Sequence, residues 1–202
     1  LAVDGAIGFS LCSPVFFGRS RFGIRYDCLD SSRRHCVFCE VSMGHRKTGK
    51  QTITFTNSPR VVAAGTVVGH FEEQGALSGH FDKVITDDKW GEKSFELCER
   101  KMYENAVCIA IEKAGKTTQD VDVLLGGDLL NQIISAGYAA RSLELPFLGL
   151  YGACSTIIEA SLVGSILVDS ECANSVACAA SSHFSTAERQ FRMPLELGTQ
   201  PT

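Results

Sequence analysis

Side chains capable of chemistry follow short apolar runs at three places in the second half of the sequence. Cys154 stands in PFLGLYGACST, where one apolar run turns at Gly152-Ala153 and a second begins. Asp128 and Asn131 follow DVDVLLGG, and Ser181, Ser182 and His183 follow SVACAAS, with Glu188, Arg189 and Arg192 close behind in STAERQFR. A cysteine between a strand and a helix, preceded by small residues that permit a tight turn, has the logic of a nucleophile elbow. Free amides and the helix dipole at that corner favour a thiolate. They also make an anion site for Cys154 and Ser155 to share, whether or not the sulfur reacts. The plainer alternative is a small buried cysteine at a tight turn. His183 reads equally as a ligand contact or as a histidine bonded to backbone, and Asp128 as a ligand contact or the cap of the next helix. Arg189 and Arg192, with Glu188, form either a solvated helix face or a clamp for a carboxylate. LLGGDLLNQ lacks the spaced Gly-Lys-Ser/Thr of a phosphate loop.

The elements that must position these groups form a repeating pattern. Val121–Leu125 reads as a short strand, the stretch after it (128–144) as a helix, Phe147–Tyr151 as a strand, residues 154–170 as a helix and Val176–Ala180 as a strand. Alternating strands and helices imply βαβ crossovers and a parallel sheet. The carboxyl ends of such strands share one edge, where ligands of open α/β sheets bind. Upstream, KSFELCERKMYENAVCIAIEKAG reads as a long helix with Gly115 as its stop. QTITFTN reads as a strand, RVVAAGTVVG as a second strand or a strand and turn, and residues 70–92 as loop. The helix after Cys154 is apolar almost all round: Ile157, Ile158, Leu162, Val163, Ile166, Leu167 and Val168 fall on nearly every side. One sheet cannot bury such a helix completely, so something else must cover its far face.

The 202 residues suffice for one domain with a core, and 45% hydrophobic against 21% charged residues is a globular balance. A net charge of −4 without a basic tract argues against nucleic acid. Nine cysteines, an odd number and several in apolar surroundings, suit a reducing compartment rather than a disulfide framework. Residues 1–42 show little periodicity and precede the first methionine, Met43; they are expected to be a non-native or disordered leader. The C-x-x-C in HCVFC has no second pair to complete a zinc site, so no metal is expected.

The strings TGKQTITF, AAGTVVG, GALSGHFDK, LLGGDLLNQ, PFLGLYGACST and SSHFSTAERQFR resemble the stage V sporulation protein AD family of spore-forming bacteria, from near Met43 to Thr202. A buried helix led by a cysteine also resembles the first half of a thiolase-type fold, where the nucleophile helix lies between the sheets of two similar halves. The resemblance implies an α/β, thiolase-like, mostly parallel sheet with flanking helices, residues 43–202 being a C-terminally truncated N-terminal domain. It implies a non-catalytic binder of dipicolinic acid (pyridine-2,6-dicarboxylate), with no cofactor beyond calcium as the dipicolinate salt. Such a protein acts in the spore's SpoVA transport apparatus, in uptake at sporulation and release at germination. Implied partners are the other SpoVA membrane proteins and, at full length, a second copy in a homodimer. The implied location is a cytoplasmic fold held peripherally at the forespore or spore inner membrane. By position, Cys154 matches the superfamily's nucleophile site and the family's ligand pocket, and His183 matches its SSH segment. Asp128, Asn131, Arg189 and Arg192 are added from strand-end geometry: helix amides suit one carboxylate of a planar dianion and arginine the other. The competing reading is a ketosynthase- or thiolase-type acyltransferase with Cys154 as the acyl-accepting nucleophile. That chemistry needs histidines, and often a second cysteine, which in the superfamily come from the second half. A third reading is a fragment with no activity of its own.

Overall fold

A computed structural model describes the backbone of residues 15–18, 47–129 and 133–192, and side chains for 47–129 and 133–188. The chain order is β1 (Val15–Gly18), β2 (Lys47–Thr48), β3 (Thr52–Ile53), β4 (Arg60–Ala64), β5 (Val67–Val68), β6 (Lys83–Val84), α1 (Phe95–Lys113), β7 (Val123–Asp128), α2 (Ile134–Ser142), β8 (Phe147–Gly149), α3 (Thr156–Asp169), β9 (Ser175–Ser181) and α4 (Phe184–Arg192). Five strands form the main sheet in the order β4-β1-β9-β7-β8. β7 runs parallel to both β8 and β9, and β1 runs antiparallel to both β4 and β9. Four of the five strands therefore point the same way. The fold is α/β with a mostly parallel sheet and flanking helices, as the first half of a thiolase-type fold requires. β1 belongs to the stretch 1–42 that the sequence sets apart as a leader. Its backbone is nonetheless paired on both sides, while the rest of that stretch lies outside the described residues.

Strand pleating divides the core in two. Alternate residues of a strand face opposite sides of the sheet. Leu124, Ala177 and Ala179 face one side and pack with Cys98, Met102, Tyr103 and Ala106 of α1 and Ala136, Ala139 and Ala140 of α2. Leu125, Val176 and Cys178 face the other and pack with Ala160 and Val168 of α3. α1 is well made as a helix. The Ser94 side chain caps it by accepting from the Leu97 amide at 3.3 Å, Glu96 sits in the first turn and Lys113 in the last, and Gly115 (φ +67) ends it.

Three elements differ from the sequence reading. QTITF does not join the main sheet; its alternation serves a small local hairpin, β2-β3. The helix expected from 128 starts at Ile134, because β7 runs on through Gly126-Gly127 to Asp128. Glycine there signals close approach rather than a strand end: a side chain at Gly126 (φ +148) would strike the Ala179 carbonyl of β9. The strand expected over Phe147–Tyr151 is shorter and ends at Gly149.

Candidate functional site

The carboxyl ends of β9, β7 and β8 do share an edge. Asp128 and Ser181, the last residues of β7 and β9, are register partners, and the Leu150 amide just beyond β8 donates to the Gly126 carbonyl at 2.8 Å. The expected site residues divide into two groups along it.

The first group surrounds the ends of β7 and β9. Asp128 is buried, and its Oδ2 accepts from the Ala136 amide at 2.8 Å, so it caps α2 from outside the helix. His183 is only 6% exposed. Its Nδ1 accepts from the Ser185 amide at 3.2 Å, which leaves the proton on Nε2 to be donated to the Asp88 carbonyl at 2.7 Å. Burial pushes its pKa down, against the pull of the Asp88 carbonyl and carboxylate, so the neutral ring is favoured. Between these two residues lies one that the sequence reading missed. Glu99 of α1 is 1% exposed, with Oε1 at 2.9 Å from Ser181 Oγ and Oε2 at 2.8 Å from Thr186 Oγ1. Burial, reinforced by the nearby Asp128 carboxylate, pushes its pKa up to about 7 despite these hydroxyls. The signal was available: Glu99 falls on the stripe of Cys98, Met102, Tyr103 and Ala106, where only core residues belong.

The second group is the turn after β8. Ala153 (φ +50), Cys154 and Ser155 form a single 3₁₀ turn that leads into α3, and Cys154 is exposed. The turn is locked by Thr156, whose Oγ1 accepts from the Gly152 amide (3.1 Å) and donates to the Ala153 carbonyl (2.9 Å). A side chain at Gly152 would meet the Glu159 carboxyl and Ser155 Oγ, so those side chains would have to move aside. Cys154 is thus held out at a strand-to-helix elbow, and the buried-cysteine alternative is not what is seen. The corner expected to hold an anion, however, already carries a carboxylate of the protein's own. Glu159 of the first α3 turn lies 2.6 Å from Ser155 Oγ, which also reaches the Gly152 carbonyl at 2.8 Å. A second anion at this corner meets that negative charge. Asn131 lies outside the described residues, as do the side chains of Arg189 and Arg192, although α4 carries the backbone of both. Among the described residues no group of three His, Cys, Asp or Glu side chains is placed to hold a metal ion, and no helix is long and apolar enough to cross a membrane.

Comparison with known proteins places the chain in a family. The chain is similar to stage V sporulation protein AD of Bacillus subtilis (strain 168), with 48% identity over 153 residues. That match takes in 76% of this chain but only 45% of the relative, so the chain spans less than half the relative's length. The family model for stage V sporulation protein AD matches residues 49–202, all of the main sheet except β1. The chain belongs to the stage V sporulation protein AD family.

Proposed function

We propose that this chain is part of a non-catalytic binding component for pyridine-2,6-dicarboxylate, acting in dipicolinate uptake during sporulation and in its release at germination. The observation that carries the reading is the family match across residues 49–202. The chemistry of the carboxyl edge supports it. The exposed Cys154 corner at the start of α3 suits a carboxylate, although the Ser155 amide already donates to the Gly152 carbonyl at 3.0 Å, and α4 brings Arg189 and Arg192 to the element that follows β9. Calcium enters with the ligand, as its salt. The remaining SpoVA membrane proteins are the proposed partners, with peripheral attachment to the spore inner membrane and a homodimer at full length.

The second reading, acyl transfer, is favoured by one feature, the exposed thiol at the elbow. Against it, His183 has both ring nitrogens engaged with backbone and is not free to act as a base. Calorimetric titration of the full-length protein with dipicolinate, and separate incubation with acyl-CoA followed by mass spectrometry of Cys154, distinguish the two. Dipicolinate heat with an unmodified thiol is expected. Stable acylation of Cys154 without dipicolinate heat would overturn the binding reading.

A further inference from the structure

The hydrogen bonds around Glu99 are best satisfied with a proton on its carboxyl. Thr186 Oγ1 lies 2.8 Å from Glu99 Oε2 and 2.8 Å from the His183 carbonyl oxygen. Both separations are hydrogen-bond distances between oxygens, and a threonine hydroxyl has one proton. With Glu99 ionised, Thr186 divides that proton between the two contacts in a weaker three-centre bond, as Ser155 does between Glu159 and the Gly152 carbonyl at the exposed elbow. The Ala187 amide also reaches the His183 carbonyl at 3.0 Å. With Glu99 protonated on Oε2 each contact has a proton of its own. Glu99 donates to Thr186, Thr186 donates to the His183 carbonyl, and Ser181 donates to Glu99 Oε1 at 2.9 Å.

The surroundings favour that state. Burial and the Asp128 charge at the end of β7 favour the proton on Glu99, and they outweigh the Thr186, Ser181 and Ser135 hydroxyls, which favour the carboxylate. Tyr103, one turn along α1, donates to the Ala179 carbonyl at 3.3 Å, and the His183 ring bonds the Asp88 carbonyl. α4 also carries the half-buried Glu188, and Arg189 and Arg192 farther along.

We propose that Glu99 is held as a neutral acid and works as a proton-operated latch, tying the start of α4 and the end of β9 to α1 when protonated and releasing α4 when ionised. The latch governs the edge that carries Ser181 and His183. The inference stands on the Glu99–Thr186–His183 contacts and does not depend on which ligand the edge binds.

The sign follows from linkage. Glu99 holds its proton more tightly folded (about 7) than its ordinary value of 4.5. Its stabilising contribution is therefore whole below that ordinary value, is lost as pH rises toward 7, and is absent above. His183 acts oppositely: its lowered pKa means that acid protonates it only at a cost to the fold.

Two measurements on the full chain test the latch. In carboxyl carbon NMR, assigned by difference against Glu99→Gln, the Glu99 signal should titrate near neutrality; a carboxylate that stays ionised down to about pH 5 would overturn the proposal. In amide exchange corrected for intrinsic rates, α4 should open about tenfold more often at about pH 8 than at about pH 6, and in Glu99→Gln this rise should shrink to less than about twofold. An undiminished rise in the variant sinks the latch. If Glu99→Gln does not fold, Thr186→Val takes its place. It should open α4 at about pH 6 as readily as the native chain does at about pH 8, and full protection in that variant counts against the proposal.

Discussion

On one side of the sheet, α1 and α2 bury Tyr103, Met102 and Ala139 against Leu124. On the other, α3 buries Ala160, Gly164 and Val168 and leaves its largest side chains outside, with Ile158 69%, Leu162 46% and Ile166 40% exposed. The α1 side follows the ordinary rule of large apolar groups inward. The α3 side inverts it. Small residues let α3 lie close to the sheet: a side chain at Gly164 would come within 2.8 Å of Cys178 Sγ. Ile157, Val163 and Leu167 pack partly against the core beneath them, but Ile158, Leu162 and Ile166 have no role against the sheet. They form an outer surface, as the sequence implies when it requires a second cover for this helix.

Mutations can break or sharpen this contrast. Leu124→Ala should cost about 2–5 kcal/mol in urea denaturation, and Ile158→Ala less than about 0.5 kcal/mol. Equal costs would mean that the two faces are not different. The full 202-residue chain should self-associate in sedimentation through the α3 face, and a paired Ile158→Lys, Leu162→Lys change should reduce that association; a monomeric parent chain would refute it. Ser94→Ala should cost about 1 kcal/mol by removing the α1 cap, whereas Ser155→Ala should cost less than about 0.5 kcal/mol, because Ser155 makes no cap bond to α3. The smallest effect concerns the elbow. Removing the charge at Glu159 with Glu159→Gln should tighten dipicolinate binding a few-fold if the ligand's carboxylate sits at the Cys154 corner. No change in a calorimetric titration would place the ligand elsewhere.

The alternation of β7, α2, β8, α3 and β9 is legible in the sequence because each strand is a short apolar run bounded by glycine or polar residues, and each helix is long enough to show its period. The elbow at Cys154 is legible for the same reason. What escapes is pairing at a distance. Nothing local in residues 15–18 announces a partner in β9, and QTITF alternates like a sheet strand although it pairs only with its neighbour. Single carboxylates escape too. Glu99 is betrayed only by its place on the core stripe of α1, and Glu159 beside the elbow looks like an ordinary helix residue until its contacts are seen. Asp128 has the sequence signature of a cap and proves to be one, but from the end of the strand, six residues before the helix begins.

Cys98 and Cys178 are both buried, one in the α1–α2 half of the core and one in the α3 half. Burial pushes both thiols up to about 12, so neither carries appreciable thiolate while folded, whereas Cys154 and Cys172 are exposed to reagent. The chain thus comes with its own pair of dyes-in-waiting. After the exposed thiols are blocked, the order in which an alkylating agent reaches Cys98 and Cys178 would time the opening of each face of the sheet separately, without a single engineered residue.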